Sequence, residues 1–171
     1  MRHFVGAGIL ALISSSSAFA AEFPAGEPVE INGMEVAGVY LQAVAMDPAQ
    51  EGTGAPADIH LEADIHAIDG NQQGLETGAW VPYLNIPYTL TKAGSDWKDS
   101  GILVPMVAND GPHYGRNIAL DGPGKYELHF RIEPPKIMRH VDKETAVEPW
   151  WEAFDYAGSF KFVGTGKKGG Y

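Results

Sequence analysis

Residues 58–66 alternate strictly between apolar side chains and side chains that bind metals. The apolar positions are Ile59, Leu61, Ala63 and Ile65, and the others are Asp58, His60, Glu62, Asp64 and His66. This period of two predicts a β-strand, because successive side chains of a strand point to opposite faces of a sheet. One face then enters a core and the other presents a row of imidazoles and carboxylates. A solvated face usually carries more varied polar residues, so this row indicates metal binding.

The rest of the chain also has the pattern of an all-β protein. Turns recur along its length, since it contains 21 Gly and 12 Pro. The sequence predicts strands at residues 36–45, 59–68, 80–91, 101–107, 113–120, 125–133 and 159–163. Short strands at such spacing favour a β-sandwich. Helix signals are weak and extend to one or two turns within residues 143–146 or 149–154.

The N-terminus predicts export. Residues 1–20 combine a basic start, a short apolar run and a small-residue cleavage site, as in a secretory signal peptide. The apolar run is shorter than the roughly 20 residues that a membrane span needs, so we expect no stable membrane insertion. Residues 21–171 then form a single domain. The chain has no cysteine, which excludes disulfides and thiolate metal sites. We expect it in the bacterial periplasm.

Charge and motifs exclude several classes of function. The formal net charge is −10, which argues against nucleic acid and anionic membrane partners and is compatible with a cationic ligand. The familiar nucleophile, zinc-protease and nucleotide-binding motifs are absent from the sequence. We therefore do not expect an enzyme.

A second cluster of candidate ligands lies on a predicted hairpin. The sequence Asn109-Asp110-Gly111-Pro112 has strong turn chemistry. A hairpin centred between Asn109 and Asp110 places Met106 opposite His113, with Cβ atoms about 4.5–5.5 Å apart. A thioether prefers copper, an imidazole suits Cu, Zn, Fe and Ni, and a carboxylate adds a hard oxygen. From spacing alone, ordinary core filling is the favoured interpretation of Met106, as it is for most methionines.

The other histidines are weaker candidates. His129 shares a mixed-charge strand face with Glu127 and Arg131, which is typical of a structural surface residue. His140 lies in a polar loop, where a solvated role is the simpler interpretation. His66 either extends the ligand row or lies on the surface. A cluster of aromatic residues around Trp80 and Trp150 fits either core packing or a binding platform for sugar or protein.

Four long motifs resemble those of a known family, the periplasmic P19/Tp34 iron-transport proteins. They are residues 58–66, residues 106–115, residues 139–145 and the tail at residues 162–171. The likeness covers essentially the whole of residues 21–171. It implies an immunoglobulin-like β-sandwich of seven to nine antiparallel strands, a homodimer, and a metal site near the dimer interface.

The resemblance also implies specific ligands and partners. Matched position by position, the copper ligands of the family fall on His60, Met106, His113 and His140, with Glu62 nearby and available to iron. The family further implies ferrous iron uptake together with an inner-membrane iron permease. We therefore predict a periplasmic metal-binding protein for copper and Fe(II), with manganese or zinc as surrogates. Two rival predictions remain: a copper carrier with no iron role, and a binding module for sugar or protein.

Overall fold

The computed structural model of the protein describes residues 22–50 and 56–165. Nine strands and no helix lie in these residues. They therefore contain no helix that is long and apolar enough to span a membrane. The strands are β1 Phe23–Pro24, β2 Val29–Ile31, β3 Met34–Gln42, β4 Ile59–Ala67, β5 Ile86–Lys92, β6 Lys98–Ala108, β7 Gly111–Ile118, β8 Gly124–Ile132 and β9 Phe154–Phe162. Every pairing between them is antiparallel.

The strands follow the order β1-β3-β4-β7-β6-β5-β8-β9, and β2 pairs with the other end of β3. Strand β6 belongs to both layers: residues 98–103 pair with β5, and residues 104–108 pair with β7. The chain thus crosses from one sheet to the other along a single strand. This crossing places the C-terminal half of β6 beside β7 and β4, where the candidate ligands lie.

Aromatic residues of β9 fill the space between the two layers. Tyr156 packs on Gly38 of β3, and the backbone N of Gly38 donates a hydrogen bond to the Tyr156 hydroxyl at 3.1 Å. Tyr40 of β3 contacts Phe160 of β9 with ring centroids 4.3 Å apart. A Cβ at Gly38 would lie only 2.9 Å from the Tyr156 ring, so this close approach requires glycine. These contacts establish β3 and β9 as facing layers of a sandwich.

The predicted all-β fold is confirmed, and the differences are local. The predicted strand at residues 80–91 begins only at Ile86, because Pro82 and Tyr83 interrupt it; Tyr83 has a positive φ of 64°. Residues 142–146 form one hydrogen-bonded turn rather than a helix, with Asp142 accepting from Glu144 and Thr145. The predicted signal peptide, residues 1–20, lies outside the described residues.

Candidate metal centre

Three buried ligand side chains converge where β4 and β7 pair. His60 and Glu62 come from β4 and His113 from β7. One ligand atom from each lies within 4.8 Å of the others. The Glu62 Oε1 atom is 3.5 Å from His60 Nε2 and 3.3 Å from His113 Nε2. The three residues are only 1%, 5% and 6% exposed, respectively.

The two imidazole nitrogens that face Glu62 have no hydrogen-bond partner among the described residues. Both rings are instead bonded through other atoms: His60 Nδ1 lies 2.9 Å from Asn117 Oδ1, and a backbone hydrogen bond links His113 to Gly111. A buried polar atom without a partner costs free energy, which a bound cation would recover. Two imidazoles and a carboxylate form a donor set that fits Cu, Zn or Fe.

Met106 joins this cluster through the predicted hairpin register. It pairs directly with His113, and the turn is formed by Asn109 and Asp110. Met106 lines the same cavity as His60, Glu62 and His113. Met46, in the segment after β3, lines this cavity as well. A soft thioether therefore stands beside the two imidazoles, which favours copper over harder ions.

The close approach of β7 to the His60 ring depends on Gly115. This residue pairs with Glu62 on one side and with Val104 on the other. A Cβ at position 115 would lie 2.5 Å from His60 Nε2. A glycine inside a strand often marks such a close approach. Because Gly115 has no side chain, the His60 imidazole can lie against β7.

Burial shifts the pKa values of the ligands so that all three are neutral near pH 7. Burial lowers the pKa of His60 to about 4 and also lowers that of His113. Burial, with the charge of Asp64 as the next cause, raises the pKa of Glu62 to about 8. Desolvation penalises the charged form in each case. The imidazoles are therefore ready to bind a cation at neutral pH, whereas Glu62 must first lose a proton.

Further acidic residues border the cluster. A second cavity is lined by Glu22, Asp64 and Asp110 together with Glu62 and His113. Burial raises the pKa of Asp64 to about 6, and it also raises that of Glu22, with Asp110 as the next cause. Carboxylates held this close together favour a cation over an anion. The negative charge predicted from composition is thus partly concentrated beside the ligands.

The other histidines among the described residues, at positions 66, 129 and 140, lie outside this cluster. His140 is exposed, bonds Thr145 at 2.7 Å, and lines a different, largely apolar cavity. His129 Nε2 lies 3.3 Å from Asp155 Oδ1 on the outer face of β8. His66 is half-buried at the far end of the second cavity. Within one chain, the structure brings together four of the five predicted ligands and leaves His140 apart.

The sequence matches a known family over most of its length. A model of the family described as "Fe2+ transport protein" matches residues 19–164. The chain belongs to this family. FetP of uropathogenic Escherichia coli strain F11 is 50% identical over 85% of this chain and 98% of its own, with a TM-score of 0.78. Copper-reconstituted P19 of Campylobacter jejuni is 48% identical over 86% and 99%, with a TM-score of 0.79.

A more distant relative widens the comparison. The 34 kDa membrane antigen of Treponema pallidum is 39% identical over 153 residues, which cover 80% of this chain and 75% of that protein. These matches confirm the resemblance inferred from the motifs. Solved structures with copper bound exist for P19 and for a variant of FetP.

Two residues of this family member that matter for the site were missed at the sequence level. The motif at residues 106–115 includes Gly115 but does not indicate its role. A glycine inside a predicted strand is nevertheless a usable signal of close packing. Asn117 gave no signal, because its contact with His60 joins residues 57 positions apart. Long-range hydrogen bonds of this kind depend on the strand register, which the sequence alone left open.

Proposed function

We propose that this iron-transport family member is a periplasmic metal-binding protein that takes up Fe(II) as cargo and also binds copper. One observation carries the proposal: the unpartnered Nε2 atoms of His60 and His113 converge on the Glu62 carboxylate in a buried cluster. Four ligands from one chain, Met106 included, offer a copper ion soft and borderline donors. The bordering acidic residues offer oxygen donors for a harder ion such as Fe(II), for which manganese or zinc would serve as surrogates.

The periplasmic location is part of the proposal. It is supported by the signal-peptide pattern of residues 1–20 and by the recombinant expression of FetP in the periplasm of Escherichia coli. A family that transports Fe2+ also supports the expectation of an inner-membrane iron permease as the recipient of the cargo. The protein would then hold the ion in a dry site until handover.

Growth and metal content test the proposal together. Deleting the gene is expected to impair growth when Fe(II) limits it, and wild-type protein is expected to restore growth. Protein purified from periplasm should contain copper by elemental analysis, and it should bind Mn(II) as a stand-in for Fe(II). If deletion changes only sensitivity to copper, the iron role is wrong and a copper carrier is the better assignment. The two methionines in the cavity, Met46 and Met106, are the observation that favours this alternative.

Replacing Met106 with leucine is expected to weaken Cu(I) binding about tenfold and to leave Mn(II) binding unchanged. The reason is that leucine keeps the volume of the side chain but removes the soft sulfur donor. Competitive titration with chromophoric chelators measures both affinities. Met34→Leu is the matched control, because Met34 is fully buried in the core outside this cavity. Equal Cu(I) affinity in wild-type protein and Met106→Leu would refute the thioether assignment.

The proposal includes a homodimer in which His140 of a second copy completes the metal site. Exposed apolar residues surround His140, including Met138 at 98% and Val141 at 73% exposed. The metal cavity is likewise bordered by Val107, which is 77% exposed. Two exposed apolar surfaces next to candidate ligands suit an interface between copies. Such an interface would remove both surfaces from water.

Replacing His140 with alanine is therefore expected to lower Cu(II) affinity about tenfold without changing the fold. Sedimentation should give a dimer for wild-type protein. His129→Ala is the matched control, because His129 is also exposed but pairs with Asp155 away from the cavity. A monomer, or unchanged Cu(II) affinity in a His140→Ala dimer, would contradict this part of the proposal.

A further inference from the structure

Asn117 fixes the orientation of the buried His60 ring. It lies opposite His60 in the pairing of β7 with β4. The Asn117 Oδ1 atom accepts a hydrogen bond from Val44 N at 3.2 Å and lies 2.9 Å from His60 Nδ1. The Asn117 Nδ2 atom donates a hydrogen bond to Val44 O at 2.7 Å. Because Val44 bonds both ends of the amide, an oxygen must face His60. The proton of the neutral ring is therefore on Nδ1, and the lone pair of Nε2 faces Glu62.

The same asparagine holds the segment that covers the metal cavity. We call residues 43–50, which follow β3, the strap. Five of its residues line the cavity above His60: Val44, Ala45, Met46, Asp47 and Pro48. At its far end, the Gln50 side chain donates to Asn117 O at 3.0 Å and accepts from Asn117 N at 2.8 Å. The start of the strap is thus bonded to the Asn117 side chain, and its end is bonded to the Asn117 backbone.

We propose that Asn117 is the positioning residue of the metal centre, holding His60 as the Nδ1–H tautomer and closing the strap over the cavity. The inference rests on the proposed function, because positioning matters only if the cluster binds metal. The partner of a ligating histidine sets its tautomer and ring orientation, and removing such a partner costs about 10–100-fold in metal affinity. Here the Asn117 side chain contacts both the His60 ring and Val44 of the strap, so replacing this side chain disturbs both.

The test compares Asn117→Ala with wild-type protein. The variant is expected to bind Cu(II) and Mn(II) about 10–100-fold more weakly, since Nε2 loses its fixed orientation. In metal-free protein, ¹⁵N NMR of the imidazole should change from the Nδ1–H form to a mixture of tautomers. Hydrogen exchange at the Val44 amide should accelerate at the same time, because its acceptor is gone.

Two further variants separate positioning from folding. Asn71→Ala is the matched control, because the Asn71 side chain likewise accepts from backbone N–H groups and donates to a backbone carbonyl, but outside this cavity. It should leave the affinity, the His60 tautomer and Val44 exchange unchanged. Asn117→Asp keeps an acceptor for His60 and loses the donor to Val44 O. It should preserve the tautomer and loosen only the Val44 end of the strap, and it decides the question if Asn117→Ala does not fold.

The outcomes distinguish this inference from the proposed function. If wild-type protein binds neither Cu(II) nor Mn(II), the proposed function fails. The His60 tautomer and hydrogen exchange at the Val44 amide still measure whether Asn117 orients the ring and anchors the strap. Wild-type affinity together with an unchanged Nδ1–H tautomer in Asn117→Ala would overturn the inference. Faster Val44 exchange alone would also overturn it, because Asn117 would then anchor only the strap.

Discussion

Replacing Gly115 with alanine is expected to weaken Cu(II) binding by more than about 100-fold, or about 2.7 kcal/mol. The added Cβ would lie 2.5 Å from His60 Nε2 and 3.0 Å from its Cε1. The ring cannot simply retreat, because it is almost fully buried and its Nδ1 is bonded to Asn117. The nitrogen that should meet the cation is therefore the atom that the new methyl group displaces. Competitive titration measures the loss of affinity.

A double-mutant cycle tests the same clash without metal. Overpacking by Gly115→Ala should cost about 1–3 kcal/mol of unfolding free energy. In a His60→Ala background most of this cost should disappear, because the ring that collides with the methyl group is gone and only the 3.3 Å contact with the Leu61 carbonyl oxygen remains. Gly101→Ala is the control: its Cβ would meet the Tyr88 ring at 3.0 Å, away from the metal cavity, and copper affinity should not change. Additive free energies at positions 60 and 115 would disprove the clash.

The strand pattern and the hairpin were accessible from sequence because both depend on local rules. Alternation over residues 58–66 predicted β4, and turn chemistry at Asn109–Asp110 predicted the pairing of Met106 with His113. Side-chain period and turn length fix such registers within a few residues. These two local features already place four ligands on three strands.

The burial of the ligand face was not accessible in this way. Alternation predicts that one face of β4 is covered, yet His60 and Glu62 on the other face are buried as well. Their cover comes from the strap and from β6, which leaves its pairing with β5 to join β7. Such coverage depends on how distant segments pack. In the proposed dimer, the place of His140 would depend further on contacts between copies, which no local pattern encodes.

The burial of these ligands determines how the stability of the metal-free protein depends on pH. The folded-state pKa of Glu62, about 8, lies above its ordinary value of 4.5, so folding takes up a proton between these values and stability falls as pH rises through this window. The pKa of His60, about 4, lies below 6.5, so stability rises with pH between about 4 and 6.5. Above pH 6.5 only the Glu62 effect remains, and the metal-free protein should lose stability up to about pH 8.

Metal binding should show the opposite trend over that window. A cation must displace the Glu62 proton, so binding near pH 7 should release about one proton. Affinity for Mn(II) should then rise about tenfold per pH unit well below pH 8, roughly 50-fold between pH 6 and 8, and level off above 8.

Calorimetry in buffers of different ionisation enthalpy counts the proton that binding releases, and titration across pH gives the slope. Glu62→Gln is expected to abolish both the proton release and the slope between pH 6.5 and 8, because both imidazoles are already neutral there. Asp64→Asn removes a charge that raises the pKa of Glu62, so affinity should level off at a lower pH. Glu127→Gln, on the exposed face of β8, is the control and should follow wild-type protein. A slope that persists in Glu62→Gln would assign the proton to another group and would exclude Glu62 as the residue that couples binding to pH.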